Sequence, residues 1–532
     1  MPRIKRNKYG GVWPSAPEEA VGTVYARDAL NVDVSRGTLA PFRAPRQVST
    51  ETGASLFVDG CRVLTSETPA YVAHNDVGCD TLFRTGVAPY PEYTDDTGAE
   101  PTWHRLGIPA PTYAPTAIPI NSVVQDESST EVAYAYAYVN AKNQLGPLST
   151  PSNRIETNIG APRMISGIVW PDATWEVQWV NVYVTAVGSK DARGGNPVQA
   201  AWRYVGTVVP GSSSYTHDGV SAGMTADSLL YEPPPADLTS IAFSPEANVL
   251  AGISPSTGYV AFSEPFATHA FPVDYYTRFG DTPKRIVCND VAWFVLTDGC
   301  PYILPLLDTG GLRKPNRIMT PLPVVASRSV AVFPGGVIYA SKTGLVILGN
   351  NGAVSVATYP LIRDEDWMAI YPHQMVGAVF NGYYYGSSPR YAFRFKIRTG
   401  VFTLEAADEF MPLSLRATAM HAEKHGALFY ADQDGVHQWA DGTDWMPYSW
   451  ESLAFRPGPK FAWRVATVAR SPLGELSVRH KHDDVVVLDR DVPYNRAYSL
   501  PRIGADTVAA MFYGTAEVFS DTLATTTKDL AG

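Results

Sequence analysis

The sequence predicts an all-β, multidomain protein, and three observations carry that expectation. Turn formers and aromatics are abundant: 43 Gly and 43 Pro stand beside 29 Tyr and 12 Trp in 532 residues. That composition suits many short strands joined by turns better than long helices. One segment alternates with period two, with Tyr134, Tyr136 and Tyr138 interleaved with Ala133, Ala135 and Ala137. Finally, strand–turn–strand units recur at near-constant spacing between 238 and 445. At roughly 100–200 residues per domain the length fits about three or four domains. Hydrophobic residues at 45% against 18% charged allow large cores and exclude disorder as the dominant state.

Taken in order, residues 1–110 read as irregular β structure, in which Val32, Val34 and Leu39 flank a turn at Ser35-Arg36-Gly37. A boundary follows at 107–119 (GIPAPTYAPTAIP), because four prolines in thirteen residues cannot occupy a central strand. Residues 111–235 then predict a fibronectin-like β-sandwich. A strand puts the three tyrosines on one face and the alanines on the other. Trp175, Val177, Trp179 and Tyr183 share a face opposite Val180, Val182 and Val184, so that strand is expected to be buried on both sides. Residues 143–151 (NQLGPLSTP) read as a loop, and Pro233-Pro234-Pro235 closes the domain.

Residues 236–450 predict a β-propeller. Apolar runs at 249–253, 291–296 (VAWFVL), 337–340 (VIYA), 383–385 and 427–431 (ALFYA) each lead into a polar turn and another strand. The turns at 258, 299, 344, 389 and 435 are 41, 45, 45 and 46 residues apart, and a four-stranded blade takes about 40–50 residues. Five units are visible, and a distant segment is a candidate to close one blade. A helix is expected where Asp364-Glu365-Asp366 precedes Trp367, since acidic residues suit the positive end of a helix dipole. After Pro457 strands return, at 462–468, 476–478, 485–488 and 508–513, within a C-terminal β part spanning 451–532; the polar tail 521–532 is read as free or docked on a neighbour.

The chemistry-bearing residues point away from an enzyme. Cys61, Cys79, Cys288 and Cys300 form no CxxC pair and are too few for a disulfide framework. His480, His482, Asp483 and Asp484 would be the best metal-like cluster, but Arg479 and Lys481 beside them suggest a solvated hairpin tip. No GxSxG, HExxH or P-loop occurs. His74, His104 and His269 lack partners at fixed spacing, so no catalytic, cofactor-binding or metal residue is assigned and no cofactor is expected. Thr94-Asp96-Gly98 and Asp441-Gly442-Asp444-Trp445 are incomplete matches to a sialidase turn and do not recur once per blade. The net charge of −10 argues against tight non-specific binding of nucleic acid, which needs a basic face. No apolar run reaches the roughly 18–20 residues of a membrane helix, and 1–11 (MPRIKRNKYGG) has no apolar stretch behind it, so neither an anchor nor a secretory signal is expected.

Several phrases, in the same order, resemble the tail nozzle or tail tubular protein B-like family of short-tailed bacteriophages. They are 29–43 (ALNVDVSRGTLAPFR), 106–111 (LGIPAP), 136–151 (YAYVNAKNQLGPLSTP), 262–265 with 269–272 (FSEP, HAFP) and 337–346 (VIYASKTGLV). The resemblance implies a platform β domain built from both chain ends, in a virion tail protein assembled in the host cytoplasm. It implies a homo-hexameric ring that meets a portal adaptor and tail fibres or spikes, and lets double-stranded DNA pass without specific binding. Six copies at −10 each would carry −60; a negative wall repels phosphates, over about 10 Å at moderate salt. A glycan-binding or glycan-hydrolysing propeller and a portal adaptor or collar ring are the alternatives.

Overall fold

Each apolar run picked out above forms the second strand of a four-stranded antiparallel sheet. The computed structural model describes residues 3–14, 24–60, 62–75, 80–121, 129–158, 160–186, 202–219, 231–306, 314–359, 361–398, 410–423, 426–455, 461–492, 494, 496–501 and 504–531. One such sheet runs Thr239–Ser244, Val249–Ser254, Tyr259–Phe262, Thr277–Arg278, and another Pro283–Cys288, Ala292–Thr297, Tyr302–Pro305, Asn316–Arg317. A third runs Ala331–Phe333, Gly336–Ser341, Gly344–Gly349, Val354–Val356, and a fourth Val376–Phe380, Tyr383–Ser387, Ala392–Lys396, Phe410–Leu413. The fifth has Ala419–Ala422, Leu428–Ala431 and Val436–Gln438, and takes its last strand, Arg46–Ser49, from the other end of the chain. The five turns all mark the hairpin between second and third strands. Val249–Ser254, Ala292–Thr297 and Gly336–Ser341 are buried along their whole length, so they read as unbroken apolar runs rather than alternation. Sheets of this form at this period are the blades of a β-propeller.

The chain divides into two compact units. One comprises Tyr71–Trp293 and Leu304–Pro315. It opens with a sheet of blade form, Tyr71–Asn75, Thr81–Thr85, Glu92–Thr94, His104–Arg105, whose first strand packs against Thr239–Ser244. Phe83, Tyr93, Leu238, Phe243 and Phe271 share one core between the two sheets. Between them in sequence lies the sandwich. Its larger sheet has the order Ile155–Asn158, Ser129–Asn140, Val177–Ala186, Arg203–Val208; its smaller has Thr116–Pro119, Arg163–Ser166, Ser214–His217. Tyr134, Tyr136 and Tyr138 lie opposite Val184, Val182 and Val180 in the register, and all six enter the sandwich core.

The other unit comprises Met1–Ala70, Phe294–Ile303 and Asn316–Gly532. The first strands Ala331–Phe333, Val376–Phe380 and Ala419–Ala422 pack in succession, and Ser55–Asp59, half of a hairpin with Arg62–Ser66, packs against the last. Two further sheets form the platform. One has the order Arg3–Arg6, Val518–Ala524, Val465–Arg470, Tyr498–Ser499. The second has Ala26–Leu30, Tyr448–Ser452, Val508–Gly514, Leu476–His482, Val485–Asp491. Strands from both chain ends therefore share sheets. The expected helix is Asp364–Ala369, with all three acids in its first turn; Trp367 is buried and its indole N–H donates to the Ser341 carbonyl at 2.8 Å.

Three expectations need correcting. The platform does not take all of 1–110: Arg46–Ser49 completes a blade and 71–105 form their own blade-like sheet. Short strands carry no mark of their partner, and the sandwich inserted after 105 breaks the 45-residue period that would have revealed that sheet. Trp175 ends a 3₁₀ turn, Ala173–Trp175, ahead of the strand, and Trp179 is only half-buried, so that face is not sealed. The tail is not loose: it contributes a central platform strand and a short helix, Thr527–Ala531, because Asp521 finds buried partners in Arg6 and Tyr9. The Pro457 break, Cys61 and Cys79 lie outside the described residues.

Candidate functional site in the platform

Leu476–His482 (LSVRHKH) alternates strictly, with Leu476, Val478, His480 and His482 buried and Ser477, Arg479 and Lys481 turned outward. A strand with one face on the core imposes that pattern. The two histidines share a face, as their spacing requires, but it is the core face and not a hairpin tip. The tip is Asp483-Asp484, both at positive φ. Asp483 accepts from the backbone N–H groups of Asp506 (2.9 Å) and Thr507 (2.8 Å), and Asp484 pairs with Arg27 at 3.1 Å. Lys481 reaches Glu451 at 2.6 Å on the opposite face. The metal-like cluster of the sequence is thus dispersed by the pleat.

Behind this strand both chain ends are locked together. Arg6 and Asp521 face each other in the register. Arg6 donates to the Asp521 carboxylate at 2.7, 2.9 and 3.1 Å, both residues being 4% exposed. The Tyr9 hydroxyl donates to the same carboxylate at 2.8 Å; burial and the negative charge beside it push that phenol well above its ordinary pKa. Trp450 packs edge-on against Tyr9 at 5.2 Å, and its indole N–H donates to the Gly10 carbonyl at 2.9 Å. Sequence reading missed this network. Arg6 and Asp521 are 515 residues apart, and a lone Asp in VFSDTLA signals nothing by itself.

His480 lies within 2.9 Å of the Tyr498 hydroxyl, and burial lowers its pKa from 6.5 to about 3. Below pH 6.5 the unfolded chain takes up a proton that the folded platform refuses, so stability falls as pH drops from 6.5 towards 3. At pH 4.5 the expected loss is about 2–3 kcal/mol. Hydrogen exchange of 476–482 measured from pH 7 to 4.5 should show this, and His480→Gln should flatten the dependence.

A second candidate, in the same unit, is a depression of about 850 Å³ at the joint of the last two blades. Its polar groups are largely committed to that joint. Arg328 donates to the carbonyls of Ala54 (2.7 Å) and Thr418 (2.9 Å). Asp432 accepts from the Asp434 N–H at 2.8 Å and faces His437 at 3.1 Å, while Tyr430 and Trp439 are buried. The remaining singled-out residues also have structural partners. His74 faces Asp80 at 2.6 Å, His104 faces Glu176 at 2.7 Å, and His269 faces the Leu145 carbonyl at 3.2 Å. Asp96 caps the Gly98 N–H at 2.8 Å. Asp441 pairs with Arg46 at 2.6 Å and Gly442 donates to the Ala44 carbonyl at 2.7 Å, fastening the borrowed strand to its blade. Cys288 donates to the Phe243 carbonyl, and burial raises its thiol to about 12. Among the described residues, no helix is long and apolar enough to cross a membrane.

No protein-family model and no curated protein matches the chain. Among solved structures it is similar to Kluyvelomyces marxianus Hsv2 (11% identity, TM-score 0.26, covering 52% of this chain and 71% of that one). It is also similar to the Neurospora crassa Pan2 WD40 domain (8%, 0.26, 61% and 88%) and to the WD40 β-propeller domain of Doa1 (7%, 0.29, 76% and 97%). The propeller assignment rests on the blade sheets themselves.

Proposed function

We propose that this chain is a structural virion protein, the ring-forming nozzle or tail tube subunit of a short-tailed bacteriophage. In this reading DNA is retained and ejected through the ring, and no bond is made or broken. The observation that supports it most is the weaving of both chain ends into one platform. Val518–Ala524 sits between Arg3–Arg6 and Val465–Arg470, held by a buried ion pair. A subunit under pressure from packaged DNA gains when segments this far apart in sequence share one sheet, since neither can then open without the other. The net charge of −10 per copy favours passage of a polyanion over its capture. Electron micrographs of the purified protein mixed with portal and adaptor should show six-fold rings with a central hole. Persistent compact monomers that retain oligosaccharides would overturn the reading and turn attention to the depression lined by Arg416 and Asp432.

A further inference from the structure

The depression at the joint of the last two blades, about 850 Å³, has the capacity of a small-molecule site, which usually runs from about 300 to 1,000 Å³. Val376, Leu415, Ala417 and Met446 give it an apolar lining. Its charged groups divide at the joint. The fourth-blade side carries His373 and Gln374, just ahead of that blade's first strand, and Arg416, just after its last. The fifth-blade side carries Asp432, Gln433 and Asp434, in the turn between that blade's second and third strands.

Some of these groups are spent on the fold and two are not. Arg328 is taken by two carbonyls and Asp432 by His437. Arg416 is exposed, and among the described residues it reaches only the carbonyl of its own neighbour, Leu415, at 3.4 Å, beyond the usual hydrogen-bond range. Asp434 is also exposed, and only its backbone is engaged: its N–H donates to Asp432 at 2.8 Å and its carbonyl accepts from Gln47 at 2.7 Å. Elsewhere in this unit exposed opposite charges close on each other, Arg46 on Asp441 at 2.6 Å, Arg479 on Asp489 at 2.8 Å and Arg27 on Asp484 at 3.1 Å. Arg416 and Asp434 line one depression and form no ion pair, so its width holds the two charges apart.

We infer that this depression binds a small zwitterion of dipeptide size, whose carboxylate is taken by Arg416 on the fourth blade and whose ammonium group by Asp434 on the fifth. A dipeptide sets its two terminal charges about 7 Å apart, which suits partners too distant to meet directly. A guanidinium grips a carboxylate through two parallel hydrogen bonds. The apolar lining offers a place for the ligand's side chains, and partial enclosure leaves both ion pairs less screened by salt than they would be on open surface. Nothing in this site depends on ring formation, so the full chain by itself serves for the test.

The probe is leucyl-leucine, titrated calorimetrically at fixed ionic strength. N-acetyl-leucyl-leucine lacks the ammonium group and leucyl-leucinamide lacks the carboxylate, and each should bind about tenfold more weakly or worse. Arg416→Ala should weaken the dipeptide by a similar factor and remove its advantage over leucyl-leucinamide alone. Asp434→Asn should remove its advantage over N-acetyl-leucyl-leucine alone. Both side chains are exposed, so thermal unfolding should show each variant folded as wild type. Arg36→Ala, at an exposed arginine outside the depression, makes the same change in net charge and should leave binding as it is. If the dipeptide and its two blocked forms bind alike or not at all, or if Arg36→Ala weakens binding as much as Arg416→Ala, the zwitterion site is wrong and the ring reading is untouched. Maltose retained by a chain that ignores the dipeptide would overturn it too, in favour of a neutral glycan.

Discussion

Asp521→Ala is expected to destabilise the platform by about 3–5 kcal/mol, the usual cost of stripping one partner from a buried ion pair. The Asp521 carboxylate is the acceptor for both Arg6 and the Tyr9 hydroxyl, and both donors are buried. Without it the Arg6 guanidinium stays in the core uncompensated, with the Trp450 ring 5.9 Å from its carbon as poor exchange. Hydrogen exchange in Val518–Ala524 and Arg3–Arg6 should accelerate by roughly two to four orders of magnitude. The blade strands Tyr383–Ser387 and Leu428–Ala431 should keep their protection. Arg6→Met with Asp521→Leu separates the charge from the space it fills. Removing both partners leaves no stranded ion, so the double variant should sit within about 1–2 kcal/mol of wild type. A single-variant loss below about 1 kcal/mol would mean that water reaches the pair and that the two chain ends are not locked by it.

What the sequence displayed and what it hid follow from the range of each interaction. The blade hairpins were legible because each strand meets its neighbour within a few residues, so turn chemistry and apolar runs repeat locally. Tyr134, Tyr136 and Tyr138 were legible for the same reason: a pleat writes its face into every second residue. The 71–105 sheet was hidden because its neighbour, Thr239–Ser244, lies beyond an inserted sandwich. The Arg6–Asp521 pair was hidden because its partners sit at opposite ends of the chain. His480 and His482 were legible in direction and not in destination. Spacing put both on one face, but whether that face meets solvent or core depends on Tyr498, which reaches the Leu476–His482 strand by tertiary packing.

Gly107→Ala is the second substitution with a large expected cost, about 2–4 kcal/mol, and it strikes the place where the chain passes into the sandwich. Leu106 is buried in the core of the blade-like sheets and Ile108 in that of the sandwich. The chain must therefore turn between two cores within one residue, and it does so at φ +89°. A Cβ there would lie 2.4 Å from the Pro234 Cδ and 3.0 Å from the Pro233 Cβ. Proline rings cannot swing aside as flexible side chains can, so the backbone itself must shift. Gly211 provides the control: its φ is +88°, yet nothing lies within 4 Å of a Cβ built on it. Gly211→Ala carries only the conformational cost of that backbone region, about 1 kcal/mol. Both variants can be followed by hydrogen exchange in Tyr71–Asn75 and Ser129–Asn140, strands on either side of the turn. Equal losses would show that φ alone governs both sites. A loss confined to Gly107→Ala, and relieved by adding Pro234→Gly, would show that the two proline-rich breakers meet and brace each other, and that the sandwich is held at its root by steric contact.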